Sequence, residues 1–161
     1  MHIKKLNKIG SLIENIKNDI NMSIISDFLD WFYEKLCINF NKNCLSLKLN
    51  KWDIVFVNLW KNIGSELNKN RPCLVYSLKK ANFWDTVVVL PLKTYKWKLN
   101  NSFNVLLKLE EVDWLFKDSI VDILAIRQIS KKRINKRIWK LKDYILLEID
   151  EKVLNNFWIK K

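Results

Sequence analysis

Arg71 opens the apolar run RPCLVYSL at the end of a polar stretch, NIGSELNKN. A guanidinium there can present two donors to phosphate oxygens and oppose the charge that develops during phosphoryl transfer. Pro72 restricts the entry to the run that follows. The preceding stretch supplies Gly64, which permits close backbone approach, then the Ser65 hydroxyl and the Glu66 carboxylate. A solvated loop between two strands would look the same, so Arg71 gains chemical weight only if other strand ends converge on it.

Two further segments carry charge in useful patterns. In PLKTYKWK (91–98), Lys93, Thr94, Lys96 and Lys98 interleave with Tyr95 and Trp97, pairing phosphate attraction with rings on which unpaired bases can stack. An exposed strand end would account for the same pattern. In RQISKKRINKRIWKLK (127–142), Arg127, Lys131, Lys132, Arg133, Lys136, Arg137, Lys140 and Lys142 stand without an acid. Such a run would bind a polyanion through its phosphates and read little sequence, or would simply be a solvated face.

What is missing narrows the chemistry. The one histidine is His2, which removes Ser-His-Asp and Cys-His schemes and any His-rich metal site. Cys37, Cys44 and Cys73 form no C-x-x-C pair, which argues against a disulfide framework or zinc knuckle and predicts a reducing, cytoplasmic setting. No apolar run approaches the roughly 20 residues of a membrane span, predicting a soluble protein without membrane partners.

The elements that would position these groups fall into two parts. Residues 1–49 place Ile9, Leu12, Ile13, Ile16 and Ile20, then Ile25, Phe28, Leu29, Phe32 and Leu36, at helical spacing, predicting two helices, with Ser26 and Asp27 starting the second. Those apolar faces would pack on the remainder of the chain or dock a partner. From residue 50 the texture becomes short β-branched and aromatic runs at 53–59, 73–78, 86–92, 102–109 and 119–126, predicting five strands of a small barrel. Pro91 predicts a strand end or edge. Leu146, Ile149, Val153 and Phe157 share one face of a closing helix over 143–159.

The chain carries 29 Lys and Arg against 17 Asp and Glu, a formal +12 in 161 residues. Part of the lysine excess matches a general Lys, Asn and Ile bias at the expense of Gly and Ala. Even so, residues 50–161 hold most of the net charge, which points to an anionic partner for that part.

Read in order, DIVFVNL, NIGSELNKNRPCLVYS, TVVVLPLKT, KDSIV and IRQISKKRI resemble the PemK/MazF family of toxin endoribonucleases over roughly residues 50–158. The resemblance implies an SH3-like small barrel of the CcdB/MazF type, preceded here by a helical extension over 1–49 and closed by a C-terminal helix. It also implies a homodimer, a cognate antitoxin, and cleavage of single-stranded RNA by attack of the ribose 2′-OH on the adjacent phosphate, without metal or other cofactor. Gly64, Ser65 and Glu66 match the family's G-S-E loop, with Leu67 at the usual Gln; Arg71 and Pro72 match the R-P whose Arg is catalytic. The family's catalytic Thr falls in register with Lys93, and Thr94 lies one step late. The usual E-Q-I-R reads Leu124, Ala125, Ile126 and Arg127, Arg133 matches a second family arginine, and Ser130 replaces an Asp.

The implied site is therefore Arg71 with Thr94 or Lys93 at the reacting phosphate. Gly64, Ser65, Glu66, Lys96, Trp97, Arg127, Lys131, Lys132 and Arg133 would hold the substrate. The alternative on the same fold is a degenerate member that grips RNA or DNA without cutting it, or that binds a protein target.

Overall fold

The computed structural model describes residues 2–16, 22–40, 48–60, 62, 64–97, 99–112 and 115–157. The chain forms two compact units, Met1–Asn41 and Lys42–Lys161. The first holds helices α1 (His2–Ile16) and α2 (Met22–Phe40). Ser26 and Asp27 lie inside α2 and do not cap it, because either residue costs only fractions of a kcal/mol in a helix interior and the helix runs back to Met22. Along α2, Phe28 meets Trp31 edge to face at 6.2 Å and the Lys35 ammonium sits 5.1 Å over the Trp31 ring.

The second unit is an antiparallel sheet of seven strands and one helix. The strands are β1 (Asp53–Asn58), β2 (Asn70–Val75), β3 (Thr86–Thr94), β4 (Asn104–Leu107), β5 (Ser119–Asp122), β6 (Arg127–Ser130) and β7 (Ile134–Lys140), followed by α3 (Asp143–Asn156). Their order is β4-β5-β3-β2-β1-β7, with β6 also on β3. The path is open: β6 and β7 are not paired, and the 3₁₀ turn Lys131–Arg133 joins them. The expected barrel is thus a bent sheet without closure. The five expected strands are present, and the basic run, which had no strand assigned to it, supplies two more.

Pro91 lies within β3 and does not end it. On one side it faces Cys73 of β2; on the other, β6 pairs with 86–89 and β5 with 92–94. Its missing N–H falls in the gap where β3 changes partner, so no ladder bond is lost.

Strand alternation divides the core in two. One face carries Ile54, Leu74, Leu90, Leu92 and Val121, buried with Ile145, Leu146, Ile149 and Val153 of α3. The other carries Val55, Val57, Cys73, Val75, Val87, Val89, Ile129 and Ile134. Each such side chain contributes about 1.5–3 kcal/mol by leaving water. Asp150 pins α3 to the sheet, pairing with Lys51 Nζ at 2.9 Å and accepting the Tyr76 hydroxyl at 2.8 Å. The Lys51 ammonium also lies 4.0 Å and 4.6 Å from the Trp52 and Tyr76 ring centres.

Candidate functional site

The connection from β1 to β2 is a built loop. The Leu59 N–H donates to the Lys69 carbonyl at 3.0 Å and the Lys69 N–H donates to the Trp60 carbonyl at 2.8 Å, closing its neck. Inside, the Asn62 amide donates to the carbonyls of Leu59 at 3.0 Å and Leu67 at 2.6 Å. Trp60, Gly64 and Lys69 are left-handed, with φ of 65°, 62° and 68°. Gly64 is required by that φ and not by crowding, since a Cβ there would meet open space. Leu67 packs against the second core cluster, which gives its apolar side chain a structural role where the family has Gln. Ser65 and Glu66 are exposed beside it.

Arg71 stands where this loop enters β2, opposite Val57. Its Nε donates to the Asn68 carbonyl at 2.7 Å, which orients the guanidinium and leaves its terminal nitrogens for other acceptors. Arg71 shares a face with Cys73 and Val75. Arg127, paired with Val89 in β6, lies on that same face. Arg133 lies 3.8 Å over the Trp60 ring.

The three arginines feel one another through their neighbours. Burial pushes the Cys73 thiol up to about 12, while the charges of Arg127 and Arg71 pull it down. Arg133 is held below its ordinary value, first by burial and then by repulsion from Arg127. Among the described residues no carboxylate pairs with Arg71, Arg127 or Arg133. Half-buried guanidiniums without a paired carboxylate can attract an anion, and their paired donors suit phosphate geometry.

The rest of the basic run divides. Lys131 donates to the Asn82 carbonyl, and Lys132 is exposed in the same 3₁₀ turn. Arg137 pairs with the fully buried Asp53 at 3.0 Å, and Lys136 lies 5.5 Å over the Phe56 ring. The run is therefore not free of counter-charge, because β1 delivers an acid from far along the chain.

At the end of β3, strand register separates Lys93 from Thr94. Lys93 continues the face of Val87, Val89 and Pro91, which Arg71 shares; Thr94 continues the opposite face of Leu90 and Leu92. Pairing over 92–94 is regular, so no bulge re-aims Thr94. The Lys93 ammonium pairs with Asp122 at 2.8 Å. Lys96 and Trp97 follow, both exposed, Trp97 to 94% and left-handed at φ 60°. The Trp60 backbone N–H donates to the Asn58 Oδ1 at 2.9 Å while its ring lies under Arg133, a placement that arises only in three dimensions. Among the described residues no group of three or more His, Cys, Asp or Glu is placed to hold a metal ion, and no helix is long and apolar enough to cross a membrane.

The neutral, buried Cys73 thiol yields a pH prediction. Its folded value lies above the unfolded value of 9.0, so the stability it contributes is complete below pH 9 and is lost as pH rises toward 12. Thermal unfolding should fall across that window, and Cys73→Ala should flatten the fall. An unchanged slope in the variant would place the titration elsewhere.

Comparison with known proteins gives a family and a fold. The family model described as PemK-like, MazF-like toxin of type II toxin-antitoxin system matches residues 50–157. No curated protein matches by sequence. Among solved structures, a Mycobacterium tuberculosis toxin, MazF-mt6, is similar at 19% identity and TM-score 0.54, covering 68% of this chain and 99% of its own. MazF from Deinococcus radiodurans is similar at 18% identity and TM-score 0.59, over 71% and 100%. A MazE-MazF crystal structure from the same organism is similar at 18% identity and TM-score 0.56, over 71% and 100%. At these identities the solved structures establish the fold alone.

Proposed function

This chain belongs to the PemK-like, MazF-like toxins of type II toxin-antitoxin systems, a family of endoribonucleases, and from that premise we propose that it cuts single-stranded RNA. The observation that carries the reading is the placement of Arg71 at the start of β2 and Arg127 in β6 on one sheet face, with Arg133 over Trp60 of the neighbouring loop, none of them paired with a carboxylate among the described residues. In the proposed step the ribose 2′-oxygen bonds to the adjacent phosphorus and the bond to the 5′-oxygen breaks. The 2′-proton is lost, the departing 5′-oxygen gains one, and a 2′,3′-cyclic phosphate remains.

Arg71 stabilises the phosphorane with the nitrogens its Asn68 brace leaves available. Arg127 and Arg133 neutralise flanking phosphates, and Ser65 and Glu66, exposed beside the left-handed Gly64, position ribose or base. Lys96 and Trp97 would meet the strand past the end of β3. Lys131 and Lys132 would do so at the 3₁₀ turn. Mapping the product ends of a fluorescent RNA, with and without chelator, tests the step: 3′-phosphate products that never pass through the cyclic form would defeat it.

Of the two candidates beside Arg71, the register favours Lys93. Lys93→Ala should slow cleavage by about tenfold, as expected for loss of one charged contact at a reacting phosphate. Thr94→Ala should cost much less. The reverse order would show that β3 presents its other face to the substrate.

Assembly with a second copy and with an antitoxin belongs to the same proposal, supported by the family and by the MazE-MazF neighbour. Sedimentation of the purified chain at several concentrations tests the dimer. A second reading, RNA binding without cleavage, is favoured by the Lys93–Asp122 ion pair and by Leu124 and Ala125 at the family's carboxylate and amide positions. RNA bound tightly but returned intact would select it.

A further inference from the structure

We infer that Phe83 and Trp84, in the turn between β2 and β3, form a base-stacking platform that holds the RNA strand beyond the arginine cluster. The inference rests on the proposed RNA substrate. The two rings are 86% and 71% exposed, with centroids 6.3 Å apart and planes at 84°, so each keeps a face open. Large apolar rings held in water on a rigid turn mark a contact surface.

The turn is built to hold them. The buried Asn82 amide donates to the carbonyls of Leu49 at 3.2 Å and Ser77 at 3.1 Å, and the Ala81 N–H donates to the Leu78 carbonyl at 2.9 Å. The charge around the rings selects a polyanion. Lys79 and Lys80 precede them, exposed, and Lys131 reaches across to the Asn82 carbonyl, with Lys132 following. Asp85 is the only carboxylate of the turn, and its backbone carbonyl accepts the Lys131 N–H at 2.8 Å.

The platform is continuous with the arginines by two routes. β6 runs from Arg127 to Ser130, which pairs with Thr86 directly after the turn; three residue steps cover about 10 Å. The 3₁₀ turn leads from Lys131 at Asn82 to Arg133 over Trp60. An RNA strand on the arginines reaches the rings within a few nucleotides. Lysines alternating with open ring faces suit unpaired bases joined by phosphates.

The test uses full-length protein carrying Arg71→Ala, to slow cutting, with fluorescent single-stranded RNAs of about 5 and about 15 nucleotides. Removing both rings (Phe83→Ala with Trp84→Ala) should shrink the affinity advantage of the longer RNA by at least about tenfold, since each stacked base contributes several-fold or more. Lys79→Gln with Lys80→Gln should flatten the salt dependence for the longer RNA by roughly 1.4 in log–log slope. Because the rings are exposed, circular dichroism should match the parent. Phe83→Leu with Trp84→Leu keeps the apolar bulk without a π face, and parent-like affinity in it would overturn stacking. An unchanged length advantage in the alanine pair would overturn the platform, even where the parent cuts RNA. A lost advantage in a parent that does not cut would uphold the platform while the nuclease reading falls. Weakened binding to phosphatidylserine vesicles or to a polyglutamate peptide, with RNA unaffected, would also overturn it.

Discussion

Arg71→Ala is expected to slow cleavage of single-stranded RNA by about 10²–10³-fold, the loss typical of removing one preorganised donor at a charge that develops in the transition state. The size follows from placement. Arg71 is half-buried, its Nε is committed to the Asn68 carbonyl, and no acid among the described residues competes for its terminal nitrogens. Arg71→Lys should recover little, because a lysine cannot make the Asn68 contact and present two further donors in one plane. Neither variant should lower the melting temperature by more than a few degrees, since Arg71 closes no ion pair among the described residues. Initial rates on a labelled oligonucleotide, measured beside thermal melts, separate the effects. A variant that folds and cuts at the parent rate would remove Arg71 from the chemistry.

The second large effect is on stability. Arg137→Ala should destabilise the sheet unit by about 2 kcal/mol, below the range for a fully buried ion pair because the Arg137 side chain is 43% exposed while Asp53 is not, and lower its melting temperature by several degrees. Asp53 is fully buried at the start of β1, where its Oδ2 accepts the Asn50 N–H at 2.8 Å and its Oδ1 faces Arg137 at 3.0 Å. Without the guanidinium, the buried carboxylate keeps the Asn50 N–H as a donor and loses its counter-charge. The register of β7 against β1 shifts twice, between Ile54 and Val55 and between Phe56 and Val57; these irregularities bend the strand that delivers Arg137. Adding Asp53→Asn to Arg137→Ala should recover part of the loss, because the stranded charge is removed. Denaturant unfolding of the two single variants and the double gives the coupling, and strictly additive losses would mean the pair does not act as one.

The strands at 53, 86 and 119 were legible because β-branched runs bounded by polar turns have few other solutions in water. The helix over 143–156 was legible because Leu146, Ile149 and Val153 recur on one face, and all three are buried. β6 and β7 were not, because lysine and arginine dominate that run and hide its alternation. Ile129 and Ile134 point into the core while their charged neighbours do not, and that pattern becomes visible only once the strands are paired. The same run read as eight equivalent cations. In the fold one pairs with Asp53, one bonds to Asn82, one stacks on Trp60 and Arg127 joins Arg71.

By itself the amino-acid order determined the family, the presence of Gly64, Ser65, Glu66 and Arg71 in one loop and strand start, and the doubt between Lys93 and Thr94. These are local properties: a left-handed glycine, a guanidinium before a proline, and the side chain's place in a two-residue period depend on immediate neighbours. Only the tertiary structure decided which charges remain available. Whether a cation is neutralised depends on acids that neighbour it in space and not in sequence, and the folding of β1 against β7 and of β3 against β5 brings Asp53 to Arg137 and Asp122 to Lys93. The three arginines left without a carboxylate among the described residues are what remains when those pairings are made, and that remainder is a property of the sheet.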